Sequence, residues 1–89
     1  MNWRVKIANR ALKQMKRIPK KDAKRLLFVL EGLKSDPYQG DIEKIKGEDN
    51  VWRKRIGDYR ILYEVKLKQK SIDVFQIRRR TTTTYKKRR

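Results

Sequence analysis

The stretch Trp52-Arg53-Lys54-Arg55-Ile56-Gly57-Asp58-Tyr59-Arg60-Ile61-Leu62-Tyr63-Glu64-Val65 contains two alternating segments joined at a glycine. A period of two places successive side chains on opposite faces of a strand, so Val51 to Ile56 and Tyr59 to Lys66 read as antiparallel strands with Gly57-Asp58 as their turn. The same count sets Arg53 and Arg55 on one face, and the tight turn returns Arg60 beside them. Lys54 falls on the opposite face. Like charges side by side on a sheet repel, and the planar guanidinium fork suits phosphate oxygens, so the three arginines form a candidate anion site. A solvated strand face in a chain that is basic throughout accounts for the same spacing.

Downstream, Lys68-Gln69-Lys70 supplies a second turn and Ser71 to Ile77 a further strand, which completes a three-stranded meander. Arg78-Arg79-Arg80 follows, then four threonines, Tyr85, and Lys86-Lys87-Arg88-Arg89. Residues 78–89 thus make a basic carboxyl-terminal tail with no acid, expected to be poorly ordered at its end. An arginine and a tyrosine placed at a strand's end beside the cluster suit a phosphate and a stacked base, although basic tails also serve as unspecific electrostatic attachments.

Upstream, Ile42 and Ile45 lead into the first of these strands. Trp3, Val5 and Ile7 alternate with Arg4 and Lys6 as a short half-buried strand. Asn9 is placed to cap a helix carrying Ala11, Leu12, Met15 and Ile18, which stops at Pro19. A second helix starts there. Pro19 suits its first turn, Asp22 complements the amino-terminal dipole, and Ala23, Leu26, Leu27, Leu30 and Leu33 form the apolar stripe up to Ser35-Asp36-Pro37. The expected fold is therefore α+β, in the order β-α-α-β-β-β, with a helical hairpin packed on a small antiparallel sheet. At about 100° per residue Phe28 lies off the leucine stripe, among Lys21, Lys24 and Arg25. It is either covered by the first helix or a docking point for an acidic amphipathic helix.

Eighty-nine residues suit one domain, taken as 1–89, and Lys plus Arg total 27 against 10 acids, a net charge of +17. That balance is the footprint of a nucleic-acid binder, shared by proteins of anionic membrane surfaces, and it selects the partner's sign. Neither an apolar run of roughly 20 residues nor a signal-type apolar region at Met1-Asn2-Trp3-Arg4 is present, so a cytoplasmic location without membrane contact is expected. Cysteine and histidine are both absent. Disulfides, thiolate or histidine metal ligands, histidine acid–base pairs and Ser-His-Asp nucleophiles are thereby excluded, leaving Lys, Arg, Tyr, Asp and Glu for any catalysis. With 42% charged residues of one dominant sign, the isolated chain is expected to be marginally stable and to gain stability from an acidic partner.

Together with Ile45-Lys46-Gly47, Ile72-Asp73-Val74-Phe75-Gln76-Ile77, Arg80 and Tyr85, the quoted stretch resembles the RelE/ParE superfamily of toxins from prokaryotic toxin–antitoxin pairs, over nearly the whole chain. The resemblance implies one of two activities. One is a ribosome-dependent endoribonuclease that cuts messenger RNA in the aminoacyl site, with no metal or cofactor. The other is DNA gyrase inhibition. For the ribonuclease branch it implies Arg53, Arg55, Arg60, Arg80 and Tyr85 as catalytic residues, with Arg79 in reserve; Lys54, a lysine among cations that favour its neutral form, is a reserve base on the opposite face, and Lys46, Arg78, Lys86 and Lys87 are expected RNA contacts. The tail departs from the family pattern: Arg78-Arg79-Arg80 and four threonines stand where a glycine or histidine and a shorter step to the tyrosine are usual, which leaves the functional arginine open by one or two positions. An acidic antitoxin touching Phe28 and Lys24, in a hetero-oligomer, is the implied partner beside messenger RNA and the ribosome. A non-catalytic nucleic-acid-binding protein, or a toxin that has lost its activity, fits the same charge and scaffold.

Overall fold

In the computed structural model, which describes residues 3–79, the chain runs β1 (Arg4–Ile7), α1 (Asn9–Lys16), α2 (Lys20–Leu33), β2 (Ile42–Lys44), β3 (Val51–Ile56), β4 (Tyr59–Lys66) and β5 (Ser71–Arg79). The strands form one sheet in the order β1-β5-β4-β3-β2. Alternation in β4 is complete: Tyr59, Ile61, Tyr63 and Val65 are buried against the helices, and the residues between them face the other way. Ala11 and Met15 of α1 and Leu26, Leu30 and Leu33 of α2 close over that face, joined by Ile72, Val74 and Ile77 of β5. Burying each of the larger aliphatic side chains is worth about 1.5–3 kcal/mol.

Two features enlarge the expected α+β plan. The sheet is mixed, because β1 pairs in parallel with β5, Arg4 opposite Ser71 through Ile7 opposite Val74. The helical hairpin carries the chain between β1 and the meander, a connection long enough to let β1 lie parallel to its neighbour on the β5 edge. A further three-residue strand, β2, adds to β3 with Ile42 opposite Lys54 and Glu43 opposite Arg53.

The helix boundaries also differ from expectation. Asn9 is the first helical residue and not the cap. Ala8 holds the cap position, and its methyl group offers no side-chain acceptor; its amide still donates to the Val74 carbonyl as an extension of β1, so the helix begins directly after the strand. Pro19 caps α2 in place of occupying its first turn; at φ −52° and ψ 142° its carbonyl accepts from the Ala23 amide. The apolar stripe is narrower than the sequence suggests, since Leu12 and Leu27 are exposed. Phe28 is 81% exposed, so α1 does not cover it.

Three side chains tie the layers and loops together. The Tyr59 hydroxyl donates to Asp22 Oδ2 at 2.8 Å, joining β4 to the first turn of α2. The buried Tyr63 hydroxyl donates to the Pro37 carbonyl and anchors the α2–β2 loop. Gln14 Oε1 accepts from the Ile77 amide at 2.7 Å, satisfying part of the β5 edge that β1 is too short to cover.

Candidate functional site

The sheet face opposite α1 and α2 collects the arginines. In the β3–β4 register Arg55 stands opposite Arg60 and Arg53 opposite Leu62, while Lys54 stands opposite buried Ile61 on the helix side. Gly57 makes this juxtaposition possible. Its φ of +58° lets the two-residue turn reverse the chain, and a Cβ there would lie 3.2 Å from the Arg25 guanidinium of α2.

The last strand runs two residues past the expected Ile77, so Arg78 and Arg79 belong to β5, and a bulge decides which of them joins the cluster. Between Leu62 and Tyr63 the β5 register slips by one residue at Phe75, so Ile77 faces the core opposite Ile61 and Arg78 stands opposite Arg60. Arg79 goes the other way, with its guanidinium carbon 5.5 Å from the centre of the Tyr59 ring. In this register Arg55, Arg60 and Arg78 form one row across three strands, with Arg53 two residues along.

Two carboxylates absent from the sequence-based site lie in this cluster. Glu43 pairs with the Arg53 guanidinium, and Asp41 Oδ2 accepts from Arg55 Nε at 3.0 Å. Asp41, Glu43, Arg53, Arg55 and Arg60 line a depression of about 120 Å³. The trio of like charges is thus partly compensated from within, by Glu43 of β2 and by Asp41 immediately before that strand. A larger depression of about 520 Å³ lies toward β1, lined by Lys6, Glu64, Asp73 and Phe75 among others, with no arginine among the described residues that line it.

Lys54 does not join the cluster. Its ammonium donates to the Gln39 carbonyl at 2.6 Å, bracing the loop that leads to β2. Burial lowers its pKa, with nearby Asp36 opposing the shift. A lowered pKa would suit a general base, but this nitrogen is on the wrong side of the sheet for chemistry beside Arg55 and Arg60. Lys46 is exposed in the turn after β2, and Lys24 and Phe28 are exposed together on α2. Arg80, Tyr85, Lys86 and Lys87 lie outside the described residues.

In sequence and in fold the chain is similar to known proteins. The family model for the ParE toxin of type II toxin–antitoxin systems, parDE, matches residues 5–83. A relative from Methanocaldococcus jannaschii, described as putative toxin RelE1, is 36% identical over 83 residues, covering 90% of this chain and 92% of its own. A chain of the archaeal RelE–RelB complex from Pyrococcus horikoshii OT3 superposes with a TM-score of 0.80 at 31% identity, covering 92% of this chain and 99% of that one. A chain of the RelB–RelE antitoxin–toxin complex from Methanococcus jannaschii does so with a TM-score of 0.71 at 28% identity, over 89% and 94%.

Proposed function

Because the chain belongs to the RelE/ParE family of type II toxins, we propose that it is the RNA-cleaving kind, a metal-independent endoribonuclease acting on messenger RNA in the ribosome. The observation that carries this reading is the row Arg55, Arg60 and Arg78, with Arg53 beside it, on a sheet face that no helix among the described residues covers. A strand of RNA can lie on such a face with its phosphates toward the guanidiniums.

The chemistry needs no histidine. The 2′-hydroxyl loses its proton and attacks the adjacent phosphorus, the bond to the 5′-oxygen of the next nucleotide breaks, and that oxygen leaves with a proton. The products are a 2′,3′-cyclic phosphate and a 5′-hydroxyl. Arg60 and a second arginine, Arg55 or the tail's Arg80, stabilise the charge that builds on the non-bridging oxygens. Tyr85 supplies the stacking surface or the proton acceptor. Lys54, held by Gln39 on the helix side, takes no part in this scheme.

The partner in this reading is an acidic antitoxin. Phe28 and the half-exposed Leu27 give α2 an uncovered apolar ridge flanked by Lys24, which suits the apolar face of an acidic helix. Similar chains from Pyrococcus horikoshii and Methanococcus jannaschii are described in complexes with RelB, which supports an assembly of that kind.

The test is primer-extension mapping of messenger RNA in a translation extract, comparing the wild type with an Arg60→Ala/Tyr85→Ala variant. Cuts confined to the aminoacyl-site codon and missing with the variant support the ribonuclease. The matched model being that of a ParE toxin favours gyrase inhibition as the second reading. Loss of DNA supercoiling activity with intact messenger RNA would establish that alternative.

A further inference from the structure

The two carboxylates in the arginine row have no place in the cleavage scheme, yet they occupy the positions where phosphate oxygens would bind. Glu43 holds the Arg53 guanidinium and Asp41 holds Arg55 Nε at 3.0 Å. Three guanidiniums against two carboxylates leave the lining of this depression with one net positive charge, in a chain whose overall charge is +17. Two of the three arginines lining the depression are therefore already paired with a carboxylate.

The backbone aims both acids. Arg55 donates its amide to the Asp41 carbonyl at 2.9 Å, and Glu43 sits directly opposite Arg53 in the β2–β3 ladder. Just before Asp41, Gly40 turns at φ +90° and the Gln39 carbonyl is held by Lys54. The carboxylates are thus presented by pinned main chain, and only their side-chain torsions must change for them to leave. Their side chains are 61% and 68% exposed, so rotation into water carries little desolvation cost, and ion pairs this exposed are weak.

We propose that Asp41 and Glu43 form a displaceable carboxylate latch, which shields Arg55 and Arg53 until two phosphates of a bound RNA strand replace them. The latch lowers affinity for stray polyanions and reserves tight binding for a strand that presents phosphates at both places. It rests on the reading of the arginine face as a phosphate-binding surface. It also sets a salt signature. Each carboxylate displaced in the wild type gathers a cation, which offsets part of the cation release that accompanies phosphate neutralisation.

The experiment is fluorescence anisotropy with a labelled single-stranded DNA oligonucleotide. DNA lacks the attacking 2′-hydroxyl, so the assay is blind to cleavage. The wild type is compared with Asp41→Asn/Glu43→Gln and with Glu31→Gln/Asp49→Asn, a variant of equal charge change at exposed acids outside the depression. The latch variant is expected to bind about fivefold or more tighter than that control at about 100 mM salt, with a salt dependence steeper by about one unit. Circular dichroism checks that the isosteric variants are folded, and Glu43→Gln alone should show part of the gain.

A gain no larger than the control's, or a loss of affinity, overturns the latch; a loss would mean that the acids hold the arginines in place for the ligand. Arg60→Ala separates this outcome from failure of the underlying reading. If Arg60→Ala binds as tightly as the wild type, the arginine face is not the phosphate surface.

Discussion

Replacing Tyr63 by phenylalanine removes one oxygen from the centre of the molecule and tests how the functional face is supported. Tyr63 is 0% exposed, and its hydroxyl donates to the carbonyl of Pro37, itself fully buried, in the loop that delivers Asp41 and β2 to the arginines. The substitution keeps the ring and leaves that carbonyl without its donor, at a cost of about 1–3 kcal/mol. At about 4–8 °C per kcal/mol for a domain of this size, the melting temperature at pH 7 should fall by about 5–20 °C.

The pH dependence sharpens the test. Burial, then neighbouring Tyr38 and Asp36, push the Tyr63 pKa far above the ordinary tyrosine value of 10.0. A raised tyrosine pKa means the folded state keeps a proton that the unfolded state has lost, so this contribution is intact below pH 10 and declines above it. The slope approaches about 1.4 kcal/mol per pH unit for one such group. Tyr59, raised by burial and by its bond to Asp22, adds in the same direction, as does Lys66 through Asp73. Lys54, lowered mainly by burial, acts oppositely over its own range below 10.5. Thermal melts by circular dichroism from pH 7 to 11 should show Tyr63→Phe starting lower and declining less steeply above pH 10 than the wild type. An unchanged melting temperature at pH 7 with an unchanged alkaline decline would refute this account of the loop's anchor.

Further substitutions probe the remaining surfaces. Leu26→Ala, at a position 0% exposed between α2 and the sheet, should cost about 2–5 kcal/mol in a urea titration, and a loss under 1 kcal/mol would contradict the assigned packing. Phe28→Ser should leave stability within about 0.5 kcal/mol while weakening antitoxin binding about tenfold or more by calorimetry; unchanged affinity would remove the α2 ridge from the interface. Lys54→Met should retain single-turnover cleavage within about threefold, because its nitrogen braces Gln39, whereas a fall of about a hundredfold would make it the general base.

The parts of this molecule legible in its sequence are those set by short-range periodicity. Strict alternation from Tyr59 to Lys66, with Gly57 before it, yields the β3–β4 hairpin and the shared face of Arg53, Arg55 and Arg60, as found. The parallel neighbour of β5 was not legible, because Arg4 meets Ser71 across almost the whole chain and no local pattern records that pairing. β2 escaped because three residues, Ile42-Glu43-Lys44, are too few to show a period. With it went the carboxylate partners of Arg53 and Arg55, although acids at alternate positions 41 and 43 were the available signal. The arginines at the end of β5 were ambiguous for another reason. Counting by two from Ile72 would turn Arg78 toward the helices, and the bulge at Phe75 reverses that phase. The spacing of apolar Ile72, Val74 and Ile77, two and then three, is the trace it leaves. Asn9 looks like a cap in isolation and loses that role because β1 runs directly into α1.

The most direct test of the central claim is single-turnover cleavage of messenger RNA on programmed ribosomes, using a normal message and one with a single 2′-deoxy nucleotide at the scissile position. Wild-type toxin should cut only the normal message and leave a 2′,3′-cyclic phosphate, and Arg60→Ala should be slower by about 10²–10³-fold. Cleavage of the 2′-deoxy message at the same site, or an Arg60→Ala rate equal to the wild type's, would contradict the account.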